Sequence, residues 1–137
     1  MNDSIEIVQV YNAPLAAVWK ALTDIKLMKE WYFPQIQYFQ PKIGTAFRFT
    51  DDGSAYQKEW EVTNLRNNHL IAHSWKYKGY PGNSEVTFEL SVSSEGTILK
   101  LTHTGLASFP AAPQFSYHRF EQGWKMILGQ NLRHCLE

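Results

Sequence analysis

The chain has 137 residues, 44% hydrophobic and 19% charged, with thirteen Lys plus Arg against thirteen Asp plus Glu and one cysteine. This describes a single globular domain over residues 1–137, of a length that buries about two-thirds of its unfolded surface without disulfides or structural metal. One thiol excludes an intrachain disulfide and the common zinc frameworks, and zero net charge without a run of Lys or Arg argues against nucleic acid or a membrane surface as partner.

The segment Met1 to Val10 has neither a basic start nor an apolar core, and nowhere do about 18 apolar residues run together, so a cytosolic protein is expected. Ile5 to Tyr11, rich in Ile and Val, reads as a first strand. Asn12-Ala13-Pro14 opens a helix on which Leu15, Val18, Trp19 and Leu22 fall at helical spacing. A second short helix from Asp24 carries Leu27, Met28 and Trp31 and stops before Pro34, whose ring blocks the next helical hydrogen bond. From Ile36 to about Thr104 the period changes to two, as in an antiparallel meander. Phe47 and Phe49 flank Arg48, and Asp51-Asp52-Gly53 makes a turn. Trp60 and Val62 alternate with Glu59 and Glu61 before a turn at Asn67-Asn68, where asparagine tolerates a left-handed backbone. Ile71, His73, Trp75 and Tyr77 share one face of the next strand. Val86, Phe88, Leu90 and Val92 then alternate with Glu85, Thr87, Glu89 and Ser91. Leu99, Leu101 and His103 face away from Lys100 and Thr102. Gly105 to Pro113 is a connection. Phe120, Trp124, Ile127, Leu128, Cys135 and Leu136 recur at three-four spacing on a helix of about twenty residues reaching the end of the chain. That helix needs an apolar partner of its own size, and the sheet's apolar face is the one available, so the fold class is α+β with a long helix across a curved antiparallel sheet of about seven strands.

The order strand, two short helices, six strands and long terminal helix resembles the helix-grip fold of the START-like, or SRPBCC, superfamily. Ala13-Pro14 with Val18-Trp19 and Leu22-Thr23-Asp24, then Trp31 and Pro34, then Gly44 before Phe47-Arg48-Phe49, are similar to the opening segments of one branch. Ser84-Glu85-Val86-Thr87-Phe88-Glu89-Leu90, Thr97, Leu101-Thr102-His103-Thr104-Gly105-Leu106 and Gly123-Trp124 with Leu128 and Leu132 resemble its later ones. That branch is named after activators of the heat-shock protein 90 ATPase. The resemblance implies a stress-related or ligand-binding role, with a chaperone as one partner class and cyclase- or dehydratase-like enzymes elsewhere in the superfamily. Trp31-Tyr32 stands where the branch often has paired tryptophans.

Aromatic residues make up 15% of the chain, and a helix laid over a curved sheet leaves space that large side chains either fill or line. The candidate ligand-binding set is Trp31, Phe47, Phe49, Trp60, His73, Trp75, Phe88, His103, Tyr117, Phe120 and Trp124, with Tyr32, Phe33, Phe109 and Phe115 also large enough to fill or line that space. His73 and His103 are the polar anchors of a pocket for a small hydrophobic or aromatic ligand, or core histidines satisfied by backbone or water. A proton-transfer set would draw on either of them with Tyr117 or Glu121, but no spacing demands it and no catalytic residue is assigned. His69 and His73, four apart on a strand, are separated by ~13 Å and cannot share an ion. Cys135 belongs to the apolar stripe of the last helix. No metal and no cofactor are expected, and the chain is expected to be a monomer or a homodimer.

Overall fold

The computed structural model describes residues 3–50 and 55–137; the turn expected at Asp51-Asp52-Gly53 lies outside them. Strand β1 (Ser4–Tyr11) leads into helices α1 (Leu15–Thr23) and α2 (Ile25–Trp31). Strands β2 (Ile36–Tyr38), β3 (Arg48–Phe49), β4 (Lys58–Glu59), β5 (Val62–Arg66), β6 (Leu70–Tyr77), β7 (Ser84–Ser93) and β8 (Gly96–Thr104) follow. Two short 3-10 turns then lead to a terminal helix made of α3 (Tyr117–Met126), a π-helical segment (Ile127–Leu132) and α4 (Arg133–Leu136).

Local chemistry explains the helix starts. Asp24 caps α2, its Oδ1 accepting from the Lys26 backbone N–H at 2.8 Å, which satisfies one of the donors that a helix start leaves unpaired. Pro14 sits one residue outside α1, extended at φ −69° and ψ 156°. Asn68 turns between β5 and β6 at φ 65°.

Among the described residues the main sheet has six antiparallel strands in the order β1-β8-β7-β6, with β6 pairing both β5 and β4 along its other edge. A separate β2-β3 ladder is joined to it by a bridge between Ala46 and Glu61. The alternation expected over Glu59 to Val62 is divided between β4 and β5, with the buried Trp60 in the gap between them, and a register shift follows inside β5 between Val62 and Asn64.

The sheet's inner face carries Ile71, His73 and Trp75 on β6, Val86, Phe88 and Leu90 on β7, and Leu99, Leu101 and His103 on β8, all buried. Val92 departs from the expected pattern at 72% exposed. It pairs with Thr97 close to the β7–β8 turn, where no described residue covers the last inward position.

The terminal helix also departs from its expected stripe. Its buried residues are Phe120, Trp124, Leu128 and Leu132, a spacing of four, while Ile127, Cys135 and Leu136 are half-buried flanks. At 3.6 residues per turn every fourth position drifts by about 40°, which would carry such a row off the sheet within three steps. The wider turns of the π-helical segment undo that drift. The buried Tyr11 hydroxyl secures the segment by donating to the Leu128 carbonyl at 2.8 Å.

Candidate functional site

Between the terminal helix and the β4–β6 edge of the sheet lies an open cleft of about 500 Å³. Trp75 and Tyr77 reach it from β6, Lys58 from β4, and Tyr56 from the residues just before β4. Tyr32 and Phe33 enter from the exit of α2, and Phe115 from the second 3-10 turn. The helix contributes Arg119, Phe120, Gly123, Trp124 and Met126 from α3, then Ile127 and Asn131 from the π-helical segment. The walls are rings in mutual contact: Tyr56 meets Phe115 edge-on with centroids 5.7 Å apart, and Tyr77 lies 5.5 Å from the same phenylalanine.

The polar side chains of the cleft include the cations Lys58 and Arg119, the amides of Gln114 and Asn131 and the Tyr77 hydroxyl. The Trp75 indole N–H donates to the Tyr77 hydroxyl oxygen at 2.9 Å. That leaves the Tyr77 O–H without an acceptor among the described residues. Burial pushes the Tyr77 pKa up, against the smaller effect of the Trp75 bond, so the hydroxyl is a neutral donor at ordinary pH. The Lys58 ammonium sits 4.4 Å above the Phe33 ring, a cation–π placement. No carboxylate side chain lines the cleft among the described residues.

Behind this wall His103 organises a chain of hydrogen bonds. An indole only donates, so His103 Nδ1 accepts from the Trp124 indole N–H at 3.0 Å. The neutral ring then carries its proton on Nε2 and donates to Ser84 Oγ at 2.8 Å, while the Ser84 hydroxyl donates to the Trp75 carbonyl at 2.7 Å. Every polar atom of the imidazole is used, and the chain ties the cleft tryptophan Trp124 to strand β6. Burial lowers the His103 pKa to about 3, with the neighbouring His73 adding to the effect. His73 is saturated in the same way. Its Nδ1–H donates to the Ser74 carbonyl at 2.8 Å and its Nε2 accepts from the Tyr32 hydroxyl at 2.9 Å. Burial brings its pKa to about 4, against the opposing effect of the Ser74 bond. Neither ring offers a free nitrogen to the cleft.

Of the candidate set, Trp75, Phe120 and Trp124 line the cleft. Trp31, Phe47, His73 and Phe88 instead border a void of about 10 Å³, room for roughly one water. Trp60 and Phe49 pack against that group, Trp60 stacking on His73 at 4.5 Å between centroids and Phe49 lying 5.0 Å from Trp60. The buried Trp60 indole N–H has no hydrogen-bond partner among the described residues. His103 stands behind Trp124, and Tyr117 opens α3 outside the cleft lining. Tyr56, Tyr77, Lys58, Arg119 and Gly123 line the cleft but were not in the set. The spacing of four from Arg119 through Gly123 and Ile127 to Asn131 is the signal that could have found the helix side; Tyr56 lies in a segment without periodicity. Among the described residues no group of three or more potential metal ligands occurs, and no helix is long and apolar enough to cross a membrane.

The family model described as Activator of Hsp90 ATPase homolog 1-like protein matches residues 12–137. Among solved structures, protein CV1439 from Chromobacterium violaceum has 22% identity and a TM-score of 0.79, covering 100% of this chain and 99% of that one. Protein BH1534 from Bacillus halodurans has 22% identity and a TM-score of 0.77, with 100% and 98% covered. CalU16 from Micromonospora echinospora has 28% identity and a TM-score of 0.67, with 94% of this chain and 71% of that one covered. At such identities the first two establish likeness of fold. No curated protein matches the chain.

Proposed function

The chain belongs to the Activator of Hsp90 ATPase homolog 1-like family, and on that footing we propose that it is a non-enzymatic cytosolic domain that holds a small hydrophobic or aromatic ligand in the cleft. The observation that carries this reading is the cleft itself. Its volume of about 500 Å³ and its aromatic walls fall within the range of small-molecule sites, about 300–1,000 Å³ with a few placed polar groups. The saturated histidines support a binding role over proton transfer, because a general base must reach substrate with a free lone pair. Native mass spectrometry of protein purified without added ligand, and titration with the neutral fluorophore N-phenyl-1-naphthylamine, test it. One-to-one binding that quenches tryptophan emission is expected, since Trp75 and Trp124 line the cleft. Absence of both a co-purified molecule and any probe binding would remove the reading.

A second reading is a protein-interaction module that stimulates a chaperone ATPase, supported by the family match over residues 12–137. Its test is an ATPase assay with purified Hsp90, where unchanged turnover together with no pull-down counts against it.

A further inference from the structure

The helix roofing the cleft carries two parallel rows. Phe120, Trp124, Leu128 and Leu132 are buried, while Arg119, Gly123, Ile127 and Asn131, each one residue earlier, line the cleft. Positions four apart stand one above the other on a helix, with Cβ atoms about 5–6 Å apart. The π-helical turns over Ile127–Leu132 keep both rows on their targets. The cleft row therefore reads cation, gap, aliphatic, amide.

The gap is Gly123. A Cβ built there meets no atom within 4 Å, so close packing does not call for glycine. Its backbone is helical within α3, so no left-handed conformation calls for it either. Glycine weakens a helix interior relative to alanine. Its effect here is to leave bare backbone as one wall of the cleft.

Among the described residues the charged side chains of the lining, Lys58 and Arg119, are both cationic. Arg119 is exposed and its guanidinium forms no ion pair among the described residues. It stands one turn before the gap, and the Tyr77 hydroxyl has a proton to give. These groups complement an acceptor that carries negative charge. We propose that the cleft takes a flat aromatic monoanion, a carboxylate or phenolate on a ring system, with the ring over Gly123 and the anionic oxygen toward Arg119 and the Tyr77 O–H. This rests on the ligand-binding reading above and deepens it.

The test uses two probes of one shape, 2-naphthoate and its neutral counterpart 2-naphthamide, titrated into the full chain by calorimetry. At low salt naphthoate is expected to bind about fivefold more tightly, the scale of one partly exposed charge pair, with the advantage shrinking as salt is added. Arg119→Gln is expected to bring the two probes to equal affinity, and Gly123→Leu to abolish both while the melting temperature holds or rises. Equal affinity of the two probes in the unaltered protein, or an advantage undiminished in Arg119→Gln, overturns the anion assignment and leaves the cleft reading standing. Binding unaffected by Gly123→Leu overturns the placement over the gap. Failure of both probes to bind while N-phenyl-1-naphthylamine binds overturns this proposal alone; failure of all three, with no co-purified molecule, overturns the ligand-binding reading as well.

Discussion

Two aromatic assemblies lie side by side in this domain and end differently. In the inner one Tyr32 stacks on Trp31 at 4.6 Å and Trp60 on His73 at 4.5 Å, around a void of about 10 Å³. In the outer one Tyr56, Tyr80 and Phe115 keep centroid distances of 5.4 to 5.7 Å, yet Tyr56 and Phe115 border about 500 Å³ of open space. Ring contacts do not distinguish them. The inner rings are covered by α2 on one side and the sheet on the other, and the Tyr32 hydroxyl donates to His73 between them. The outer rings face Gly123 and the exposed Arg119. Whether aromatic residues make a core or a cavity is set by the elements opposite them and by the smallest residue there.

The largest test of that contrast is Trp31→Ala. Trp31 is 1% exposed and its indole N–H donates to the Ala21 carbonyl at 2.7 Å, so truncation is expected to cost about 3–5 kcal/mol. Tyr56→Ala, at the half-buried cleft wall, should cost far less. Urea denaturation of both variants checks this, and equal losses would erase the distinction between a closed and an open assembly.

Acid is the next lever. His73 and His103 are pulled down to about 4 and about 3 by burial, against about 6.5 in an unfolded chain. Between those values the unfolded chain binds protons that the folded one refuses, so stability is full above about pH 6.5 and falls on acidification by about 1.4 kcal/mol per pH unit for each histidine. The contribution from His73 levels off below about 4, where the folded ring also protonates. Urea midpoints at neutral and mildly acid pH should show the slope, and His73→Gln should make it shallower. A slope unchanged by that substitution would mean His73 is not held neutral.

His103→Leu has a smaller expected effect. It leaves the buried Trp124 N–H without its acceptor, at a cost of about 1–3 kcal/mol. Because Trp124 forms part of the cleft wall, probe affinity should fall as well; unchanged affinity would show that the ring holds its place without the histidine. The smallest effect has the opposite sign. Gly123→Ala should stabilise the helix by up to about 1 kcal/mol, since its Cβ meets nothing within 4 Å. A lower melting temperature would mean the glycine serves the fold rather than the cleft.

Much of the fold was legible in the residues. The alternation from Glu85 to Leu90 marked a strand with one apolar face, and the structure buries Val86, Phe88 and Leu90 on it. Val92 was misplaced because alternation marks a face without saying whether anything covers it. The terminal helix was legible in existence and length, but its stripe was read at α-helical period. Leu128 and Leu132 are brought into line with Phe120 and Trp124 by π-helical turns that spacing alone does not announce. For the cleft, Trp75, Phe120 and Trp124 were found because they lie on regular elements with an apolar face. Tyr56 and Phe115 come from irregular segments, where no periodicity says which way a ring points.

The sequence by itself determined the α+β class, the order of elements and the apolar faces that must meet, because periodicity and turn chemistry are local properties of the chain. Only the tertiary structure decided which rings close on one another and which stand around open space. That volume is a difference between large filled regions, fixed by how far the helix stands from the sheet and by the absence of a single side chain at Gly123.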